Sequence, residues 1–512
     1  MKKATAILSL LFTIHILHAQ TKVFKEVSDG MAQQARPIMQ DGALVGYLSF
    51  TQLEQASADS FNYKISIMDE NLNDIGEVKF KEQKLILQAV AFEQDMICLA
   101  YIKTNFIGID WKSKKPFKKA LEAGKNSIFT QFINLSGKIV KGNVIPANIK
   151  MSEEPNQYIR SNTGYGVLKH GLQLSNISQK GFALFFGDES KNNLVVFNTQ
   201  GKFMWQKLIT EQADGFSMLT AGSEVYLLAK HKAHALEGGY ELLCYGDSAV
   251  YPKYVLKDKK GNSLRVIDFD IDPVTSKPYI TGTVINQKNE AKAISNANSL
   301  PNCYIGTYTL SFMGHRKEDI HEMYSYWDNG TNPDLNRRGR FTFNRGWNRF
   351  EDSWRDSQGN TYFVSSSFVR SFRWSTIYLA PITLGLTFIA GVQKVAMREA
   401  VVVKQDAKGN LAVDNTIKAN FVKKMPAKIR MNFYDHRNFH HIANKDTKKD
   451  YLIIDDDQSA IIYDATQKKV IRTIPHYTRY TRTSVYPAKE GHVMLSVCDG
   501  KERTMRLSIE SL

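Results

Sequence analysis

Short apolar runs alternate with short polar turns along most of this chain. "NLVVFNTQGKFMWQKL" (193–208) is typical: an apolar run, a polar turn ending in Gly, then a second run. The same order returns in "ISIMDENLNDIGEVKF" (65–80), "FTQFINLSGKIVKG" (129–142), "AVVVKQDAKGNLAV" (400–413) and "AIIYDATQKKVIRTI" (460–474). Asp or Asn bonds back to the turn backbone and Gly supplies a positive φ, so each stretch predicts a β-hairpin.

A second pattern precedes the hairpins: a polar turn, then four or five apolar residues, as in "EQDMICLAYI" from Glu93 and "SQKGFALFFG" from Ser178. It predicts equivalent central strands near Met96, Phe182, Val225, Tyr279, Tyr362, Tyr451 and Val493. A lone four-stranded sheet leaves both faces bare, and stacking such sheets around an axis buries them. The expected fold is all-β: a β-propeller of seven or eight four-stranded blades, one domain over 20–512. The last blade has strands near Val485, Met494 and Met505 and lacks one; "KVFKEV" (22–27) is expected to supply it and close the ring. Two β-sandwich or β-barrel domains are the structural alternative.

The turn and strand "DSQGNTYFV", from Asp356, resemble the D-x-x-G-N-x-Y repeat of exported bacterial β-propeller-like proteins of unknown function. The resemblance implies the fold; no activity and no site residue carries over from it.

Residues 1–19 read as an export signal: basic Lys2 and Lys3, an apolar stretch, then Leu17 and Ala19 at the small-residue cleavage positions. The expected mature chain starts near Gln20 and is periplasmic or secreted. Hydrophobic residues make up 43% of the chain, enough for a core, so general disorder is excluded. The four cysteines include no CxxC pair. They read as buried free thiols, with one long-range disulfide open.

The net charge of +16 is uneven. Residues 103–150 carry ten Lys against Asp110 and Glu122. Such a stretch suits an acidic polysaccharide, an anionic envelope surface or another protein, or it is a solvated loop. Export sets nucleic acid aside as a partner. The uncharged run 375–393 holds Pro381, two Gly and several Thr, a poor membrane span, so none is expected in the mature chain.

No GxSxG, phosphate-binding loop, HExxH or dinucleotide fingerprint is present. Catalytic residues stay unassigned, and neither a metal site nor a cofactor is expected. "FYDHRNFHH" offers His436, His440 and His441, with Asp435 or one of Asp455, Asp456 and Asp457, but reads as a connecting loop. "DFDIDP" alternates Asp268, Asp270 and Asp272 with apolar residues and lacks the Gly and distal Glu of a calcium loop.

The most distinctive stretch is aromatic. Trp327, Trp347, Trp354 and Trp374 are four of six tryptophans, set among many Arg. A Trp face stacks on sugar rings and Arg makes forked bonds to carboxylate or sulfate. The expected ligand-binding residues are Trp327, Trp347, Trp354, Arg340 and Arg345, on an insertion over 311–355; local core packing is the competing account. The functional reading is a non-catalytic binding or interaction module. A glycan-active hydrolase or lyase using carboxylates at the propeller mouth is the alternative, and a peripheral membrane protein is a third reading.

Overall fold

The computed structural model describes residues 20–24, 33–40, 43–57, 59–105, 125–147, 172–187, 191–231, 239–247, 251–286, 304–329, 334–372, 393–419, 425–426, 439–444, 448–456, 458–502 and 504–512. Residues 1–19, the centre of the basic stretch and the run 375–392 lie outside them. Among the described residues, strand β1 (Gln20–Phe24) leads into eight antiparallel blades of four strands, one of them with a short fifth strand.

Blade 1 holds β2 (Gln33–Gln40), β3 (Ala43–Ser57), β4 (Ser60–Asp69) and the first half of β5 (Asp74–Glu93). Blade 2 holds the second half of β5, then β6 (Met96–Thr104), β7 (Asn126–Asn134) and β8 (Ile139–Pro146). Blade 3 is β9 (Leu172–Ile177), β10 (Gly181–Gly187), β11 (Asn192–Asn198) and β12 (Phe203–Ile209). Blade 4 is β13 (Gly215–Ala221), β14 (Glu224–Lys230), β15 (Tyr240–Tyr245) and β16 (Tyr254–Val255). Blade 5 is β17 (Leu264–Ile271), β18 (Pro278–Ile285), β19 (Tyr304–Phe312) and β20 (Ile320–Tyr326). Blade 6 is β21 (Phe350–Arg355), β22 (Thr361–Phe372), β23 (Gln393–Gln405) and β24 (Leu411–Lys418), with β25 (Met425–Pro426) added against β23. Blade 7 is β26 (Phe439–Asn444), β27 (Lys449–Asp455), β28 (Ser459–Asp464) and β29 (Lys469–Pro475). Blade 8 is β30 (Thr481–Pro487), β31 (His492–Asp499), β32 (Thr504–Ser511) and, as its fourth strand, β1.

The expected closure is therefore present: β1 pairs with β32 from Gln20↔Ile509 to Phe24↔Met505. All seven expected central strands are the second strands of their blades. The eighth, β3, escaped notice because Gly46, Ser49 and Thr51 break its apolar run.

Second strands carry the clearest signal because blades cover them on both faces. Every residue of β10 and β18 is buried, whereas the outer strand β12 is mostly exposed. Eight hydrophobic clusters fill the eight seams between blades. The last joins Met494, Leu507 and Ile509 of blade 8 to Tyr47 and Met68 of blade 1. Burying each large side chain contributes about 1.5–3 kcal/mol, so the seams dominate the stability.

The turns follow from their residues. In Asp69–Asn73, Asp258–Asn262, Asp356–Asn360 and Asp406–Asn410, Asp Oδ1 accepts two backbone N–H groups at 2.7–2.9 Å. Oδ2 accepts the Asn amide at 2.8–2.9 Å. Gly201, at φ 71° in the β11–β12 turn, cannot be replaced easily: a Cβ there would lie 2.6 Å from the Phe132 ring of blade 2.

The aromatic stretch is less of an insertion than its composition suggests. β20 and β21 occupy both its flanks, and the irregular excursion is the 327–349 link between blades 5 and 6, apart from the outside residues 330–333.

Candidate functional site

The expected aromatic site is interior. Trp327 is 3% exposed and donates Nε1–H to the Tyr304 carbonyl at 3.0 Å. It packs with Leu335, Phe341 and Phe350 in the blade 5–6 seam. Trp347 and Trp354, 8% and 3% exposed, lie in the blade 6–7 cluster. The Arg340 guanidinium sits 3.6 Å from the Trp347 ring centroid. Trp354 is sandwiched between Tyr362 (5.0 Å) and His441 (4.8 Å), both nearly parallel to it. The faces expected to stack on a ligand are thus taken by protein groups. Among the described residues, the link exposes Asp328, Asn336, Arg337, Arg338, Thr342, Phe343 and Arg345. Trp374 lies outside the described residues.

The histidine-rich stretch is also split. His440 and His441 are successive residues of β26, so strand alternation sends them to opposite faces. His441 Nε2 lies 2.9 Å from Asp450. His440 Nε2 lies 3.7 Å from Asp455, whose other oxygen is 3.7 Å from His476 Nε2. Burial pushes the Asp455 carboxyl up to about 6, with His476 opposing and Asp456 adding to the rise. His436, Asp435 and Asp457 are outside the described residues. The Asp run divides likewise. Asp268 and Asp270 stay on β17, while buried Asp272 leads a turn, accepts the Val274 N–H at 2.8 Å and pairs with Arg355. Of the cysteines, Cys98 and Cys244 are buried free thiols as expected, but Cys498 is exposed near the outer end of β31. Cys303 is outside the described residues.

A different constellation stands in the cleft between blades 4 and 5. Tyr226 on β14 faces Cys244 on β15 across the ladder, and Glu224 lies two residues earlier on the same face. The β19–β20 loop brings His315 over from blade 5, its tight path helped by Gly314, where any Cβ would strike the Asp319 carboxylate. One ligand-type atom from each of Glu224, Cys244 and His315 falls within 4.8 Å of the other two. His315 Nε2 lies 2.8 Å from Glu224 Oε1, and the Tyr226 hydroxyl donates to Oε2 at 2.7 Å. Tyr251 stacks on the His315 ring at 3.5 Å. The Tyr251 phenol is raised, first by its hydrogen bond to Glu224. Burial, and then the Glu224 charge, push the Cys244 thiol up to about 12.

The cleft in front has a volume of about 510 Å³. Tyr254 and Phe312 wall it, and Lys253, Lys257, Lys259 and Lys317 stand around it. Its two acidic lining groups are committed to the fold. Asp258 holds its turn and accepts the Tyr326 hydroxyl at 2.7 Å. Glu322 accepts the Tyr254 hydroxyl at 3.1 Å and lies 3.9 Å from Lys259. A second cleft, about 500 Å³, opens between β13 and β17 and is lined by Asp268 and Asp270. Glu224, Cys244 and His315 went unnoticed in the sequence because 20 and 71 residues separate them. No local spacing marks a site assembled by two blades.

Residues 1–134 match a family of unknown function, DUF6770, which spans blade 1 and most of blade 2. Curated proteins yield no match. Among solved structures, the chain is similar to the Dos1 propeller, at 8% identity and a TM-score of 0.42, covering 94% of this chain and 96% of that one. It is similar to the dihydro-heme d1 dehydrogenase NirN, solved in complex with DHE, at 10% identity and a TM-score of 0.40, covering 90% and 73%. The WD40 domain of SCAP from fission yeast follows at 8% identity and a TM-score of 0.37, covering 93% and 98%. With eight blades, eight filled seams and a closing strand from the opposite end of the chain, the protein is a β-propeller.

Proposed function

We propose that this protein is an exported, non-catalytic binding propeller, and that the blade 4–5 cleft takes a small acidic ligand such as an acidic sugar. The carrying observation is the lining: aromatic walls and four lysines around a space within the usual size range of ligand sites, with Asp258 and Glu322 engaged by tyrosine hydroxyls; Lys253 pairs with Glu211 and Lys259 lies near Glu322. Lysines placed this way attract carboxylate or sulfate groups, and aromatic walls pack against the ring. Burial and the neighbouring Glu224 charge hold Cys244 as a thiol in the metal-free cleft, which gives no support to nucleophilic catalysis there.

Titration calorimetry of the purified 20–512 chain against acidic and neutral oligosaccharides tests this. Binding to the acidic members alone, weakened about tenfold in Lys257→Glu/Lys317→Glu, is expected. Equal binding by the double variant, or no acidic ligand at all, overturns it. The export element rests on the basic and apolar order of residues 1–19. Sequencing the N-terminus of protein from fractionated cells should find Gln20 outside the cytoplasm; cytoplasmic protein retaining Met1 overturns it.

Asp268 and Asp270 in the second cleft favour one alternative, a carboxylate-dependent glycan hydrolase or lyase. Polysaccharide turnover abolished by Asp268→Asn would establish that reading in place of this one.

A further inference from the structure

We propose that Glu224, Cys244 and His315 form a binding site for a thiophilic divalent cation of the zinc class. It lies at the back of the cleft assigned above, and rests on that cleft's geometry but not on its ligand being acidic. One sulfur, one nitrogen and one oxygen donor converge from three residues on two blades, all within 4.8 Å. Zinc is held at about 2.3 Å from sulfur and about 2.0–2.2 Å from nitrogen or oxygen. A tetrahedral ion sets its ligand atoms about 3.3–3.7 Å apart, so the sulfur draws in by about an ångström and the imidazole–carboxylate pair, now 2.8 Å apart, opens by about half an ångström. His315 stands on a loop rather than a strand and can supply that movement.

The surroundings are those of a ligand set. Two of the three donors, Glu224 and His315, have an outer partner that fixes their direction. Tyr226 holds Glu224 Oε2 and leaves Oε1 turned toward His315. The Tyr251 ring lies flat on the imidazole. Such outer-shell contacts orient metal ligands and tune their affinity. The donor chemistry selects the ion: calcium and magnesium want several oxygens and find one carboxylate here, whereas thiolate with imidazole suits zinc. Binding would release the Cys244 proton to solvent and leave the imidazole proton on the ring nitrogen that does not bind, so that a thiolate and a neutral imidazole face the metal. Three protein ligands leave a fourth position for water.

The test is a titration of the chelator-stripped 20–512 chain with zinc alone, against a competing chelator, with cobalt as a spectroscopic probe. One zinc per chain and a near-ultraviolet thiolate-to-cobalt band are expected. His315→Ala and Cys244→Ser should each weaken zinc binding by more than about 100-fold, Tyr226→Phe by about tenfold, and Cys98→Ser not at all. Should Cys244→Ser not fold, His315→Ala on its loop remains decisive. No stoichiometric zinc, or zinc binding unchanged in His315→Ala, overturns the proposal. The titration reads metal and not sugar binding, so its failure would leave the acidic-ligand reading standing, and failure of that reading would leave this one.

Discussion

The 327–349 link and the blade 4–5 cleft invert what their sequences suggest. The link concentrates Trp and Arg and reads as a recognition surface, yet its indoles are sealed into two seams and an arginine covers one of them. The cleft comes from unremarkable strand residues and one loop histidine, yet it is where differing donor atoms converge. A dense run of large aromatics reports first how much surface a segment must bury. A chemical site in a propeller is assembled across blades, by residues with no sequence proximity.

The largest expected effect tests the first half of that contrast. Trp327→Ala and Trp347→Ala should each lose about 3–5 kcal/mol of stability, read as a fall in the denaturation midpoint. Folded variant protein should keep its zinc affinity. Midpoints equal to wild type would return the link to the surface.

Next comes the His440–Asp455–His476 cluster of blade 7. Its folded carboxyl sits at about 6, above its unfolded range, so the folded state holds the extra proton. That contribution is fully present below about pH 4 and is lost as pH rises through about 6. Asp455→Asn should therefore match wild type near pH 4 and gain about 2 kcal/mol near pH 7, after discounting for partial exposure. Parallel stability curves for the two proteins would mean that Asp455 is not driven by burial.

His315→Ala should cost about 1 kcal/mol or less in metal-free protein, since it removes one partly exposed pair. A loss as large as that of Trp327→Ala would make the trio a structural clasp and blur the comparison. Smallest is Arg345→Ala, on the exposed part of the link, expected within about 0.5 kcal/mol by thermal melting. If it abolished ligand binding while leaving stability alone, the link would regain a direct role.

Much of the fold was legible because propeller seams bury second strands on both faces, which writes continuous apolar runs such as Gly181–Gly187 into the chain. The D-x-x-G-N turns were legible for a local reason: the Asp carboxylate folds back over its own four following residues. The exposed position of Cys498 was not, because an apolar neighbourhood does not say how near a strand's open end a residue falls. The site was illegible in a stronger sense. His315 belongs to a loop with no periodicity, and only the seam between two sheets makes it a neighbour of Glu224.

The pairing of Gln20–Phe24 with Met505–Ile509 also bears on how the molecule comes into being. A ribosome or an export channel delivers the chain from its beginning, so seven blades can assemble in turn as they emerge. The eighth cannot, because its outermost strand appears first and its partner last. Until then β1 has no partner and blade 1 has one uncovered side. Bringing the two ends together carries a length-dependent entropic cost on the order of 5 kcal/mol. Closure therefore waits for the last strand, Thr504–Ser511, to be delivered.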